Sequence, residues 1–235
     1  MFTAINYIDY NTLSVPEATI RQKELKEQVV LQPLPEKINY IAGTDISFDK
    51  FSTHVFAGIV LLSFPDLKLV ACSLIKKEVK FPYVPGYLAF REVPGLLDAW
   101  EQLIIKPDVV VLDGHGIAHP RRMGIASHFG VLINKPTLGC AKKKLFGIYE
   151  EPGTNAGDYT PLYDKQETVI GSVLRTKNNV KPVFISPGHL SDVNSSRELI
   201  MKCVSKYRLP EPTRHAHAIV NQFRLGTLSE GYTTF

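Results

Sequence analysis

Two aspartates stand where apolar sequence would not ordinarily keep them. Asp45 interrupts the run YIAGTDISF, and Asp113 ends the run VVVLD just before Gly114. A carboxylate at the C-terminal edge of a buried strand lies where α/β sheets usually hold their ligands. Brought close, two such groups repel, and one would have to take up a proton. A divalent cation removes that conflict, because hard oxygen donors are what Mg²⁺ and Mn²⁺ prefer. The same spacing equally allows Asp113 to cap a turn with Gly114 and Asp45 to pair with a lysine. Glu92 is the third acid of interest. It precedes Val93–Pro94, and proline is best tolerated in the first turn of a helix. Glu92 is therefore expected at or just before a helix start, where the helix dipole alone would also account for it.

The segment DGHGIAHPRRMGIASHFG holds four glycines, three histidines and the pair Arg121–Arg122. Such a loop lets backbone approach a ligand closely, and arginines can meet phosphate. It lacks the GxxxxGK[ST] of a P-loop, and no GxSxG nucleophile elbow occurs in the chain. His115, His119 and His128 match no zinc spacing, so a structural role is expected for the cluster. Pro82-Tyr83-Val84-Pro85-Gly86-Tyr87 holds two aromatic rings on a proline-braced turn. Rigid exposed rings can stack on bases or wedge between them, although aromatics beside a helix start are more often core. Lys142-Lys143-Lys144 reads as readily as a solvated face.

Positioning these groups requires a particular order of elements. Residues 17–31 read as a charged helix ended near Pro35. INYIAGTDISF alternates as a strand, with Ile41, Gly43, Asp45 and Ser47 on one face. HVFAGIVLLSF and KLVACSLIKKEVKF follow as a hairpin across a Pro-Asp turn. Val93, Leu96, Leu97, Trp100, Leu103 and Ile104 carry a helical period, and KPDVVVLDG reads as a buried parallel strand. A helix is expected around 125–134, short strands at PTLGC, ETVIGSVLRT and KPVFISPG, and closing helices at 192–207 and 214–224. Three antiparallel strands, a helix and then parallel strands describe a mixed α/β sheet flanked by helices, which fits the ribonuclease H-like architecture. No linker, repeat or low-complexity run interrupts the order, so residues 1–235 are expected to form one domain.

The chain has 235 residues, 44% hydrophobic and 21% charged, with a formal charge of +4. That composition suits a folded protein and is mildly basic, compatible with a polyanionic partner. Cys72, Cys140 and Cys203 form no CxxC pair, and free thiols in a reducing compartment are the simplest reading. The first residues carry no secretory pattern, and the longest apolar stretch is about half of a membrane span. A cytoplasmic protein without membrane contact is expected.

Taken together, the blocks closely resemble the endonuclease V family. The match rests on YIAGTDISF with Asp45, PYVPGYLAFRE with Tyr83 and Glu92, and DVVVLDGHGIAHPRRMGIASHFG with Asp113 and His119. It continues through GCAKKKLFG with Lys142, SPGH at 186–189 and LPEPTRHAH ending at His217. These cover roughly residues 20–225 in family order. The resemblance implies a metal-dependent endonuclease that recognises deoxyinosine in DNA. It would nick the strand one nucleotide 3′ of the lesion, leaving 3′-hydroxyl and 5′-phosphate ends.

By the same resemblance, Asp45 and Asp113 hold catalytic Mg²⁺ (or Mn²⁺), with Glu92 binding it directly or through water. Lys142 stabilises charge on the phosphate, and His217 is a further active-site residue. Tyr83, braced by Pro82 and Pro85, fills the gap left by the displaced base. Gly86, Leu88, Gly114, His119, Ile125 and Leu145 form the lesion pocket. The expected partner is deoxyinosine-containing DNA, with inosine-containing RNA as an alternative, and the chain is expected to be a monomer. A lesion-binding protein that does not cut and a cutter of branched DNA are the competing classes. Two segments depart from the pattern: Leu190–Ser195 is more polar than expected at a helix entry, and His215 matches no functional position.

Overall fold

The structure, a computed structural model, describes residues 9–48 and 52–235. Helix α1 (Val15–Lys26) opens on a capping box in which Ser14 Oγ accepts from the Glu17 amide and the Ser14 amide donates to Glu17 Oε2 at 2.8 Å. It begins earlier than the expected helix and stops well short of residue 31. Beyond it the backbone pairs instead with the SPGH turn, Val30 N–H donating to His189 Nδ1 and Leu190 N–H to the Val30 carbonyl. Strands β1 (Tyr40–Phe48), β2 (His54–Ser63) and β3 (Leu69–Glu78) form an antiparallel meander. Helix α2 (Leu88–Gln102) leads to β4 (Val109–Leu112), which lies parallel to β1. Helix α3 (Ile125–Ile133) crosses to β5 (Thr137–Ala141), parallel to β4.

Strands β6 (Tyr159–Tyr163), β7 (Val169–Leu174) and β8 (Val183–Pro187) add an antiparallel wing. Helices α4 (Val193–Lys202) and α5 (Glu211–Arg224) precede the edge strand β9 (Gly231–Thr234). The result is one nine-stranded mixed sheet in the order β6-β7-β8-β5-β4-β1-β2-β3-β9. This is the ribonuclease H-like arrangement that the element order implies. Successive strand residues point to opposite faces, and the core divides accordingly. Ala42, Val110 and Leu112 pack with α2 and α3, whereas Ile41, Val109 and Val111 pack with α4 and α5. Among the described residues, no helix is long and apolar enough to cross a membrane.

Several boundaries differ from expectation. Glu92 is the fifth residue of α2, not its start, and Pro94 lies inside the helix. The upstream turn forms because Ala89 and Phe90 are buried in the core. The first turn of α2 holds no acid, so a helix-dipole role for Glu92 is removed. Helix α4 ends at Lys202 rather than 207, since the Cys203 carbonyl accepts the first amide of α5 from Glu211 at 2.8 Å. The polar entry to α4 is resolved by Asp192, whose Oδ1 caps the Ser195 amide at 2.7 Å. Helix α5 starts at 211, with Pro212 in its first turn.

Candidate active site

Strand register brings the acids together. Gly43 pairs with Val111 and Thr44 with Leu112 across the parallel β1/β4 ladder. The next step of the same register sets Asp45 beside Asp113 on one face. Leu112 in turn pairs with Gly139 of β5, and Lys142 follows directly on the end of that strand. Three neighbouring parallel strands thus deliver Asp45, Asp113 and Lys142 near their C-terminal ends, the usual ligand edge of an α/β sheet. Lys142 Nζ lies 2.5 Å from Asp113 Oδ2.

Helix α5 lies along β1 in the same direction. A Cβ at Gly43 would sit 1.9 Å from the Pro212 carbonyl oxygen, so only glycine admits the helix this close. Two strand residues advance about 6.6 Å and four helical residues about 6 Å, so the two elements keep step. Pro212 and Thr213 lie over Gly43, His217 over Asp45, and Asn221 over Ser47. His217 Nδ1 is 3.3 Å from Asp45 Oδ2, Asn221 Nδ2 is 3.1 Å from His217 Nε2, and Ser47 Oγ donates to Asn221 Oδ1 at 3.4 Å. With the Asn221 amide donating to Nε2, the proton of a neutral His217 sits on Nδ1 and is given to Asp45.

Electrostatic conflict marks the site. Burial pushes the Glu92 carboxyl up to about 8, and the charges of Asp45 and Asp113 add to the rise. Burial likewise lifts Asp45 to about 6, against lowering by His217, with Asp113 raising it and Lys142 lowering it. Three carboxyls whose charges raise Asp45 and Glu92 are the kind of donor set a hard divalent cation would relieve. Asp113 is engaged by Lys142 and Asp45 by His217. Among the described residues, no three His, Cys, Asp or Glu side chains are close enough to share one ion. The all-oxygen donor set nevertheless fits Mg²⁺ or Mn²⁺ better than a soft metal.

A cavity of about 400 Å³ opens directly beside Glu92 and Asp113. Gly86, Leu88, Gly114, His119, Ile125 and Leu145 all line it, as does Tyr83. Tyr83 is 71% exposed, flanked by exposed Pro82 and Pro85. Its turn is anchored by Arg91, whose Nη1 donates to the Phe81 carbonyl at 2.5 Å. Burial holds His119 down to about 4, so its ring is neutral. His119 Nδ1 accepts from the Arg121 amide at 3.1 Å, His115 Nε2 meets the Lys143 carbonyl at 3.0 Å, and His128 Nε2 meets Tyr10 Oη at 2.9 Å. These bonds give the three histidines the structural partners expected of them. His215 lies 3.4 Å from Glu211 and away from Asp45.

Sequence reading missed Gln22. It is 1% exposed and shares the inner stripe of α1 with Ala18 and Leu25. An amide at a core position of an amphipathic helix was the available signal, because a buried polar group must find partners. The cysteines Cys72, Cys140 and Cys203 are all free and buried.

A ribonuclease H-like sheet with paired aspartates beside a cleft is the build of a phosphodiester-cutting enzyme. Comparison with known proteins makes this specific. The Endonuclease V family model matches residues 23–218. Endonuclease V of Trichormus variabilis is 46% identical over 210 residues, 89% of this chain and 95% of that protein. Endonuclease V of Streptomyces avermitilis superposes with a TM-score of 0.87 at 38% identity, covering 93% of this chain and 96% of that one. Endonuclease V of Ciona intestinalis, solved with a 24-nucleotide DNA containing an inosine followed by a ribo-adenosine, gives a TM-score of 0.80 at 28% identity, covering 91% of this chain and 99% of that one. The chain belongs to the endonuclease V family and is an endonuclease.

Proposed function

We propose that this endonuclease recognises deoxyinosine in DNA and nicks the strand one nucleotide 3′ of it, leaving 3′-hydroxyl and 5′-phosphate ends, with Mg²⁺ as cofactor. The observation that carries this reading is the continuity of the cavity with the carboxylates: Glu92 and Asp113 form part of its lining. A base swung out of the stack into such a pocket can be read while the adjoining backbone lies at the acids. Hypoxanthine differs from adenine by a carbonyl in place of an amine, so backbone donors at Gly86 and Gly114 can tell them apart. The inosine-bearing DNA of the Ciona intestinalis complex supports the substrate.

Asp45 and Asp113 would hold the ion, with Glu92 binding it directly or through water, and the ion would supply Lewis-acid chemistry at the phosphate. The chain's own groups do the rest. Lys142 Nζ, now on Asp113, would neutralise phosphate oxygens as charge develops. The Ser47–Asn221–His217 relay holds the imidazole with Nδ1–H toward Asp45, fixing the orientation of that carboxylate. Tyr83 would fill the gap left by the displaced base, and its braced turn reduces the ordering cost. Residues 1–235 would act as one catalytic unit and a monomer. Three free, buried thiols support a reducing, cytoplasmic setting.

The test is a nicking assay on a duplex with a single inosine, comparing Mg²⁺, Ca²⁺ and EDTA. A Mg²⁺-dependent nick one nucleotide 3′ of inosine is expected. Binding without nicking would make the protein a lesion binder, and equal cutting of undamaged branched DNA would make it a structure-selective nuclease. Tyr83→Ala should raise KM for this duplex about tenfold, the scale of one lost stacking contact, with kcat and melting temperature little changed. A change confined to kcat would remove the wedge role.

A second reading, inosine-specific cleavage of RNA, is favoured by the ribo-adenosine that follows inosine in the Ciona intestinalis complex. A 2′-hydroxyl at that position is what would separate the two backbones. Matched DNA, RNA and DNA with one ribonucleotide 3′ of inosine, cut in parallel, decide between them.

A further inference from the structure

The two walls of the base cavity are tied together from outside by a side chain that does not line it. Gln22 Nε2 donates to the Gly86 carbonyl at 3.2 Å and to the Met123 carbonyl at 3.1 Å. Gly86 belongs to the wedge turn and Met123 to the loop that enters α3, and both line the cavity. Gln22 Oε1 accepts from Arg121 Nε, and Arg121 Nη2 donates to the same Gly86 carbonyl at 2.7 Å. The guanidinium lies 4.2 Å from the Tyr87 ring centroid, and Tyr87 Oη is 2.7 Å from Thr19 Oγ1 of α1. A Cβ on Gly86, where φ is +82°, would meet Arg121 Nη2 at 2.7 Å. The latch therefore fits a glycine at this place in the turn.

The chemistry of these bonds matters more than their number. Every one that reaches the walls is donated to a carbonyl. At Gly86 the carbonyl oxygen accepts from both Gln22 and Arg121. The Met123 carbonyl is engaged by Gln22 as well. Both oxygens are bonded to side chains that do not line the cavity, so the latch holds the Gly86 and Met123 walls at one spacing from behind.

We propose that Gln22 and Arg121 are positioning residues that set base specificity, by tying the Gly86 and Met123 carbonyls behind the pocket so that its walls keep the spacing that admits a base edge bearing a carbonyl and rejects one bearing an amine. The inference deepens the deoxyinosine reading and rests on it. Rejection works because adenine's exocyclic amine would be buried without an acceptor, which costs more than a missing attraction. Hypoxanthine carries an oxygen at that position and escapes the cost.

The test compares Gln22→Leu and Arg121→Ala with the wild type on three otherwise identical duplexes carrying inosine, adenine or guanine at one position. Nicking is read as kcat and KM separately, and thermal melting is followed alongside. Gln22→Leu unties the Met123 wall and leaves Gly86 to Arg121 alone, and is expected to narrow the inosine-to-adenine preference about tenfold, the scale of one buried polar group gaining a partner. The inosine loss should fall on KM rather than kcat. Arg121→Ala, at a half-buried position, should move the preference the same way and serves should Gln22→Leu fold poorly. Uniform loss on all three duplexes would mean a merely structural brace and overturn the proposal. A wild type that prefers inosine, with both variants keeping the full preference, would overturn it too. A wild type indifferent to inosine would instead overturn the proposed function, and the latch with it.

Discussion

Asp113→Ala is expected to lower nicking of an inosine duplex at least about a thousandfold, the several kcal/mol that a metal-organised phosphate site supplies. The same variant should melt, in EDTA, at the wild-type temperature or above it. Both halves follow from the crowding of the three acids. The charge of Asp113 helps push up both Asp45 and Glu92, so its removal relieves repulsion in the metal-free protein. Lys142 loses its partner, but its side chain is 40% exposed, and an exposed pair contributes little. Asp45→Ala should behave alike in cutting. Single-turnover nicking and thermal melting measure the two halves; wild-type cutting by Asp113→Ala would remove the carboxylate assignment.

The second large effect couples pH, metal and stability. Glu92 titrates near 8 in the fold, against 4.5 as an ordinary glutamate. A carboxyl whose folded pKa is raised binds its proton more tightly when folded. Its contribution is therefore present below about 4.5 and lost as pH climbs through about 8. Allowing for the partial exposure of Glu92, the loss is about 3 kcal/mol. Asp45, near 6, adds a smaller loss of the same sign at lower pH. In EDTA the protein should thus melt progressively lower from pH 5 to pH 8. Mg²⁺ would bind the ionised acids and restore about 6–12 °C at pH 8, with little effect at pH 5. Melting curves with and without Mg²⁺ across that range test it, and a Mg²⁺ response that is equal at both ends would contradict it.

Legibility in the sequence followed the source of each signal. Strands β1 to β5 could be read because alternation or an unbroken apolar run is written into their own residues, and Asp45 and Asp113 stood out against that background. Strands β6 and β9 could not. YTPLY contains Pro161 and is mostly solvent-facing, and GYTT is short and exposed; what makes them strands is the neighbour each pairs with. Glu92 was set at a helix start because Pro94 is most at home there, yet the helix begins at Leu88, after Tyr87, without any side-chain cap to announce it. Gln22 was invisible in role because its partners lie 64, 99 and 101 residues away.

The matched pitch of α5 and β1 also has a consequence for when the chain can become a nuclease. Asp45 emerges early in synthesis, and the His217 that touches it lies 172 positions later. Until residues 211–224 have docked against Gly43, Asp45 has no imidazole beside it and the floor of the site is open to water. A chain lacking α5 would lack the relay that orients the carboxylate and the Ile219, Val220 and Phe223 side chains that cover this face of the sheet. An enzyme that cuts nucleic acid is thereby kept from a complete site until α5 has been made and has docked.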